Sequence, residues 1–172
     1  MSGVESRMSE AAITRREQRR AGLVWAPEVR GTLCHRLIAE ICVCEITDTR
    51  SIEALAAAML PAGLAPVYRQ ALLTFLVPMA GSYLRHFSRP GWRFLGSEVI
   101  VGPIALDLLW QHGSRLEADE VKSSASTPTL WRDAAQAQAA AQARAGRRHF
   151  GEAFAGVRIA ALALGESVWV TA

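Results

Sequence analysis

No cysteine follows Cys44, so Cys34, Cys42 and Cys44 have no later thiol with which to complete a four-thiolate zinc or iron–sulfur set. Reduced thiols in a core are the default for such a cluster. No apolar run is long enough to cross a bilayer, because Pro61, Pro66, Pro78 and several charges interrupt the richest stretches. The first residues lack the apolar core of a signal peptide, and Glu5, Glu10 and Glu17 stand among arginines where a transit peptide carries few acids. A cytoplasmic, reducing location without a membrane is expected. A G-x-x-x-x-G-K-[ST] loop is also missing, so the chain carries no ATP-driven motor of its own.

What is present suits one compact domain. The chain has 172 residues, 51% of them hydrophobic, enough to bury a sizeable core. Its net charge of +3 comes from 19 Lys and Arg against 16 Asp and Glu, with arginine far in excess of lysine. Arg15, Arg16, Arg19 and Arg20 crowd the start, and Arg144, Arg147 and Arg148 close a later segment. Two basic edges suit a polyanion, or are simply solvated faces. Residues 1–24 read as a basic, mobile arm or a marginal helix, and residues 25–172 as the domain.

From Gly31, Leu33, Leu37, Ile38 and Ile41 recur at helical spacing and place His35 on a first helix. A second helix covers Ile52 to Met59. Pro61, Gly63 and Pro66 mark a break, and Tyr68 to Phe87 reads as a longer helix disturbed at Pro78. Beyond Pro90 and Gly91 the pattern changes to short apolar or alternating runs. Trp92–Val101, Ile104–Trp110 and Leu116–Ser123 are separated by turn residues, which predicts three antiparallel strands. Thr127 and Pro128 resemble an N-cap and first helical position, opening an alanine- and glutamine-rich helix to about Arg148. Val157–Leu164 is a buried strand candidate, and Ser167–Val170 an edge strand. The fold class is α/β or α+β, with the order helices, three strands, helix, strand.

Asp107 lies inside Ile104-Ala105-Leu106-Asp107-Leu108-Leu109-Trp110, where an uncompensated charge costs several kcal/mol. A metal ion or a cross-strand salt bridge to Lys122 would compensate it. Glu120 and Lys122 are two apart on the next strand and leave the same face, while Val121 points into the core with its carbonyl free to face an ion. Carboxylates on adjacent strands beside an ammonium group form a pattern that can hold Mg²⁺ or Mn²⁺ for phosphodiester hydrolysis. Glu117 and Asp119 fall on the other face and read as solubilising residues.

These residues resemble the PD-(D/E)XK nuclease superfamily, in its RecB-like exonuclease branch. The resemblance spans nearly everything from Gly31 to Leu164 and implies a restriction-endonuclease-like core of helix, three strands, helix and strand, with extra N-terminal helices. Asp107 and Glu120-Val121-Lys122 match the aspartate and the (D/E)-x-K triplet of that family, and Gly31-Thr32-Leu33-Cys34-His35 matches its G-x-x-x-H motif. The match implies catalytic Asp107, Glu120 and Lys122, with metal ligands His35, Asp107, Glu120 and the Val121 carbonyl. A lone helical histidine is otherwise a satisfied, half-buried residue. The family also places a glutamine on the following helix to position DNA, usually with a tyrosine one turn later. Gln136, Gln138 and Gln142 are candidates and no tyrosine accompanies them. Arg144, Arg147 and Arg148 would grip phosphates, and Glu98 would be an accessory acid or a plain surface residue. No iron–sulfur cluster is expected.

The expectation is thus a metal-dependent nuclease acting on DNA, or on RNA, with little sequence specificity, beside a helicase, ATPase or sensor in repair or phage defence. The alternatives are a catalytically silent nuclease-like module that binds nucleic acid or scaffolds an assembly, and an α+β ligand-binding domain whose acids form ordinary salt bridges.

Overall fold

The computed structural model describes residues 26–123 and 128–172. The amino-terminal arm, Thr127 and their expected roles lie outside the described residues. Three helices come first among the described residues. Helix α1 (Pro27–Val43) starts a turn before Gly31, because Pro27 is preset for a first helical position where its missing N–H costs nothing. Helix α2 (Thr49–Met59) is capped by Asp48, whose carboxylate accepts from the Ser51 N–H at 2.9 Å. Helix α3 (Pro66–Phe87) passes through Pro78 without ending. Its Leu72, Leu76, Ala80, Tyr83 and Phe87 recur every three or four residues and are buried, which fixes the face it turns to α1 and α2.

The sheet has five strands in the order β1 (Arg93–Val101), β2 (Ile104–His112), β3 (Arg115–Lys122), β4 (Phe154–Ala161) and β5 (Glu166–Thr171). Strands β1, β2 and β3 pair antiparallel, as the turn residues predict. Strands β3 and β4 are parallel, which requires a long crossover, and α4 (Pro128–Phe150) supplies it. Strand β4 begins at Phe154, three residues before the predicted start, directly after a single 3₁₀ turn at Gly151–Ala153. Strand β5 closes the far edge antiparallel to β4. Among the described residues the architecture is α+β: a mixed five-stranded sheet and four helices.

Helices cover both faces of the sheet. One core joins α1, α2 and α3 to Leu108, Trp110, Val121 and Ala160. The other joins α4 to Leu106, Leu109, Ala118, Val157 and Ile159. Alanines at 135, 139 and 143 let α4 lie close to the strands, and at Gly146 an added Cβ would meet the Phe154 ring at 2.5 Å. Alanine richness in this helix therefore serves close packing as well as helix propensity. Among the described residues no helix is long and apolar enough to cross a membrane. Of the three thiols, Cys34 is buried, Cys42 half-buried and Cys44 exposed at the end of α1, so only the first is the core thiol expected of all three.

Candidate functional site

Asp107 sits just past the end of the ladder between β2 and β3. The ladder between β2 and β3 runs from His112–Arg115 to Leu108–Asp119. One residue further, the Asp107 carboxylate accepts from the Val121 backbone N–H at 2.8 Å, so a side chain takes over from the ladder. Alternation also breaks across it, since Leu106 joins the core under α4 and Leu108 the core under α1–α3. That break lets a carboxylate in an apolar strand reach a cleft. On the other side, Ser97 pairs with Leu108 and Val99 with Leu106, which sets Glu98 across from Asp107. Glu98 has φ of 51°, a left-handed conformation that costs a glutamate about 1–2 kcal/mol and is characteristic of functional positions.

His35 reaches the same place from α1. Its Nε2 lies 2.9 Å from the Val121 carbonyl oxygen and its Nδ1 3.6 Å from Asp107 Oδ2. A carbonyl can only accept, so Nε2 carries the proton and Nδ1 keeps its lone pair on the side of Asp107. Burial lowers the pKa of His35, against an opposing pull from the Glu120 charge, and favours the neutral imidazole a metal needs. The donor atoms of His35, Glu98 and Asp107 all lie within 4.8 Å of one another. They open on a cleft of about 650 Å³ that Gly31, Thr32 and Arg36 also line. Burial, then the charges of Glu120 and Glu98, push the Asp107 carboxyl up to about 7. Crowded carboxylates beside a neutral imidazole fit a hard divalent cation, whose charge would relieve that repulsion.

Glu120 and Lys122 leave the same face of β3, as expected, and both are held by α4. Glu120 is 1% exposed, forms an ion pair with Lys122, and accepts from Gln142 Nε2 at 2.5 Å. The same Nε2 donates to the Ala105 carbonyl at 3.0 Å. Lys122 Nζ donates to Gln138 Oε1 at 2.8 Å. The expected bridge from Asp107 to Lys122 is replaced by the Glu120–Lys122 pair, which has the shorter reach along one strand. The Val121 carbonyl, expected to face an ion directly, instead accepts from His35 and so orients the imidazole. Glu98, read as an accessory acid or a plain surface residue, has its carboxylate grouped with His35 and Asp107.

Other expected contacts lie elsewhere. Gln136 is exposed and two residues from Gln138, hence on another face of α4. Arg144 and Arg148 are exposed, and Arg147 pairs with Glu152 at 2.5 Å. These arginines are about 9–15 Å along the helix from Gln138, away from the centre.

Glu117 and Asp119 do face away from Glu120, but they are 6% and 0% exposed and do not solubilise anything. The face opposite Glu120 is roofed by α3. There Asp119 accepts from Tyr83 Oη at 2.7 Å, Arg89 Nη2 at 2.7 Å, and Arg158 Nε and Nη2 at 2.9 and 2.8 Å. Arg89 also pairs with Glu117. The signal that singled out Asp107, a charge inside an apolar strand, was present at Arg158 as well. Replacing Asp119 with alanine leaves Arg158 without a carboxylate and Arg89 with Glu117 alone, and chemical denaturation is expected to show a loss of about 3–5 kcal/mol. A loss under 1 kcal/mol would mean that the network carries no stability.

Comparison of the chain with protein-family models, curated proteins and solved structures finds no match in any of the three.

Proposed function

We propose that the chain is a divalent-metal-dependent nuclease with a restriction-endonuclease-like core, of the PD-(D/E)XK type and its RecB-like branch. The observation that carries the reading is the meeting of Asp107, Glu98 and His35 in one cleft, with Glu120 and Lys122 alongside on β3. His35 Nδ1, Glu98 and Asp107 would hold Mg²⁺ or Mn²⁺. Such an ion would neutralise charge on a scissile phosphate and lower the pKa of an attacking water. Glu120 acts on the Asp107 carboxylate through its charge and pairs with Lys122, whose ammonium also acts on Asp107 through its charge. Lys122 is the only lysine of the chain, among 19 Lys and Arg residues, which supports a role that arginine does not fill. An ammonium is a compact donor that can turn to a water or to a phosphate oxygen.

On this reading the substrate is DNA, with RNA as the other candidate, cut with little sequence specificity because phosphate contacts carry no base information. The cytoplasm is its location and a helicase, ATPase or sensor its partner, in repair or phage defence. A second reading, a silent nuclease-like module that binds or scaffolds, draws on the Glu120–Lys122 pair and the Gln138 bond, which occupy two of the ammonium's three donors. Digestion of plasmid and single-stranded DNA with Mg²⁺ and then Mn²⁺ separates the two. The nuclease reading expects cleavage that EDTA abolishes; intact DNA in both metals leaves the silent module.

A further inference from the structure

A second cleft, also of about 650 Å³, continues from the first along the seam between α1 and β1. Thr32, His35 and Ala39 of α1 line the metal-side cleft, and Cys42 lines the second. Their spacing of three, four and three makes one stripe of the helix. On β1, Ser97 and Glu98 line the first cleft, and Phe94, Leu95 and Gly96 the second. The two clefts are therefore neighbours: His35 and Cys42 are about 10 Å apart along α1, and Phe94 and Glu98 about 13 Å apart along β1.

Their chemistry differs. The second cleft is walled by Tyr83, Trp92, Phe94 and Trp110, four of the chain's twelve Trp, Tyr and Phe residues. The run Arg89-Pro90-Gly91-Trp92-Arg93-Phe94 alternates arginine with aromatic side chains, and the Arg89 guanidinium lies 4.9 Å over the Trp92 ring. Asp119 and Glu117 neutralise Arg89, whereas Arg93 is exposed and, among the described residues, hydrogen-bonds only the neutral Gln111, at 2.5 Å. The buried Trp110 indole N–H has no acceptor among the described residues. An aromatic recess with an exposed cation at its rim, one cleft away from carboxylates suited to a metal, matches the needs of a nucleic-acid strand better than those of an acyl chain or an apolar peptide. Such a strand offers planar bases, ring acceptors and phosphates at regular intervals.

We propose that this second cleft seats a base of the strand whose phosphate lies at the His35–Glu98–Asp107 cluster, so that the substrate has an unpaired nucleotide beside the cut. The inference rests on the nuclease reading and names its substrate class. The test is fluorescence anisotropy with three labelled probes of equal length: oligothymidylate, an abasic deoxyribose-phosphate strand and a fully paired duplex. All are measured without divalent metal. Oligothymidylate is expected to bind about tenfold more tightly than either of the others. Thr47→Trp, an exposed loop residue at the cleft, fills the recess without touching the core and is expected to remove that preference. Trp92→Ala is expected to do the same. The Mn²⁺-induced rise in melting temperature should be unchanged in Thr47→Trp. Equal binding of oligothymidylate and the abasic strand by the wild type, or a preference that survives Thr47→Trp, overturns the proposal. Either result leaves the nuclease reading standing if DNA is still cut, whereas a wild type without metal-dependent cleavage fails that reading by itself.

Discussion

Lys122→Arg is expected to lower Mg²⁺- or Mn²⁺-dependent cleavage by about 10²–10⁴-fold while leaving a folded protein. The substitution keeps the positive charge, so Glu120, 1% exposed, retains an ionic partner and the interior gains no orphan carboxylate. What changes is shape. A guanidinium is a planar fork, and it cannot place a single donor where Nζ now sits 2.8 Å from Gln138 Oε1. Because no other lysine exists in the chain, reductive methylation provides an independent version of the experiment. It modifies Lys122 and the terminal amine alone, keeps the charge, and should inactivate to a similar degree. Bound DNA should protect against it. Full activity after complete methylation would remove Lys122 from the chemistry.

Asp107→Asn is expected to raise the melting temperature of the metal-free protein at pH 7.5 and to abolish the response to Mn²⁺. Burial and the neighbouring Glu120 and Glu98 charges push this carboxyl up to about 7 in the fold, against an ordinary value of 3.8. The folded state therefore holds a proton that the unfolded chain has released, and stability falls as pH rises from about 4 to about 7. Above that window the charged form is carried at a cost of up to about 4 kcal/mol. Asparagine removes the charge and keeps an oxygen for the Val121 N–H, so a gain of roughly 5–10 °C is expected at pH 7.5 and little at pH 4. In the wild type a cation takes the place of the proton, so Mn²⁺ should stabilise strongly at pH 7.5 and weakly at pH 5. Scanning fluorimetry across pH, with and without Mn²⁺, reads both effects. A wild type whose melting temperature ignores Mn²⁺ at pH 7.5 would leave the cluster without an ion.

The order of elements was legible because most boundaries carry a local signal: Pro61 to Pro66, Pro90-Gly91 and Gly102-Pro103 punctuate the chain where periodicity changes, whereas Pro27 was passed over and the first helix was read a turn too late. Asp107, Glu120 and Lys122 were legible because charges in apolar runs need a reason. Glu98 was not, since its place depends on the pairing of Ser97 with Leu108 and on a left-handed backbone that composition does not announce. Asp119 and Glu117 were put on the correct face and given the wrong surroundings. The error lay in assuming that the face opposite the site meets solvent, whereas a sheet covered by helices on both sides has no wet face. The role of the Val121 carbonyl depended on α1 coming near enough for His35 to claim it, a tertiary distance that spacing along one strand cannot supply.

The crossover helix has a bearing on how the molecule matures. Strands β1 to β3 are joined by tight turns and can zip together early, but the two glutamines that grip Glu120 and Lys122 ride on α4, which settles only when β4 docks against β3. A ribosome-bound chain that has not yet released Ala161 would hold its acids and its lysine without the brace that aims them, and so emerge harmless. Any cutting power would then switch on late, in one cooperative step, with the last long-range contacts.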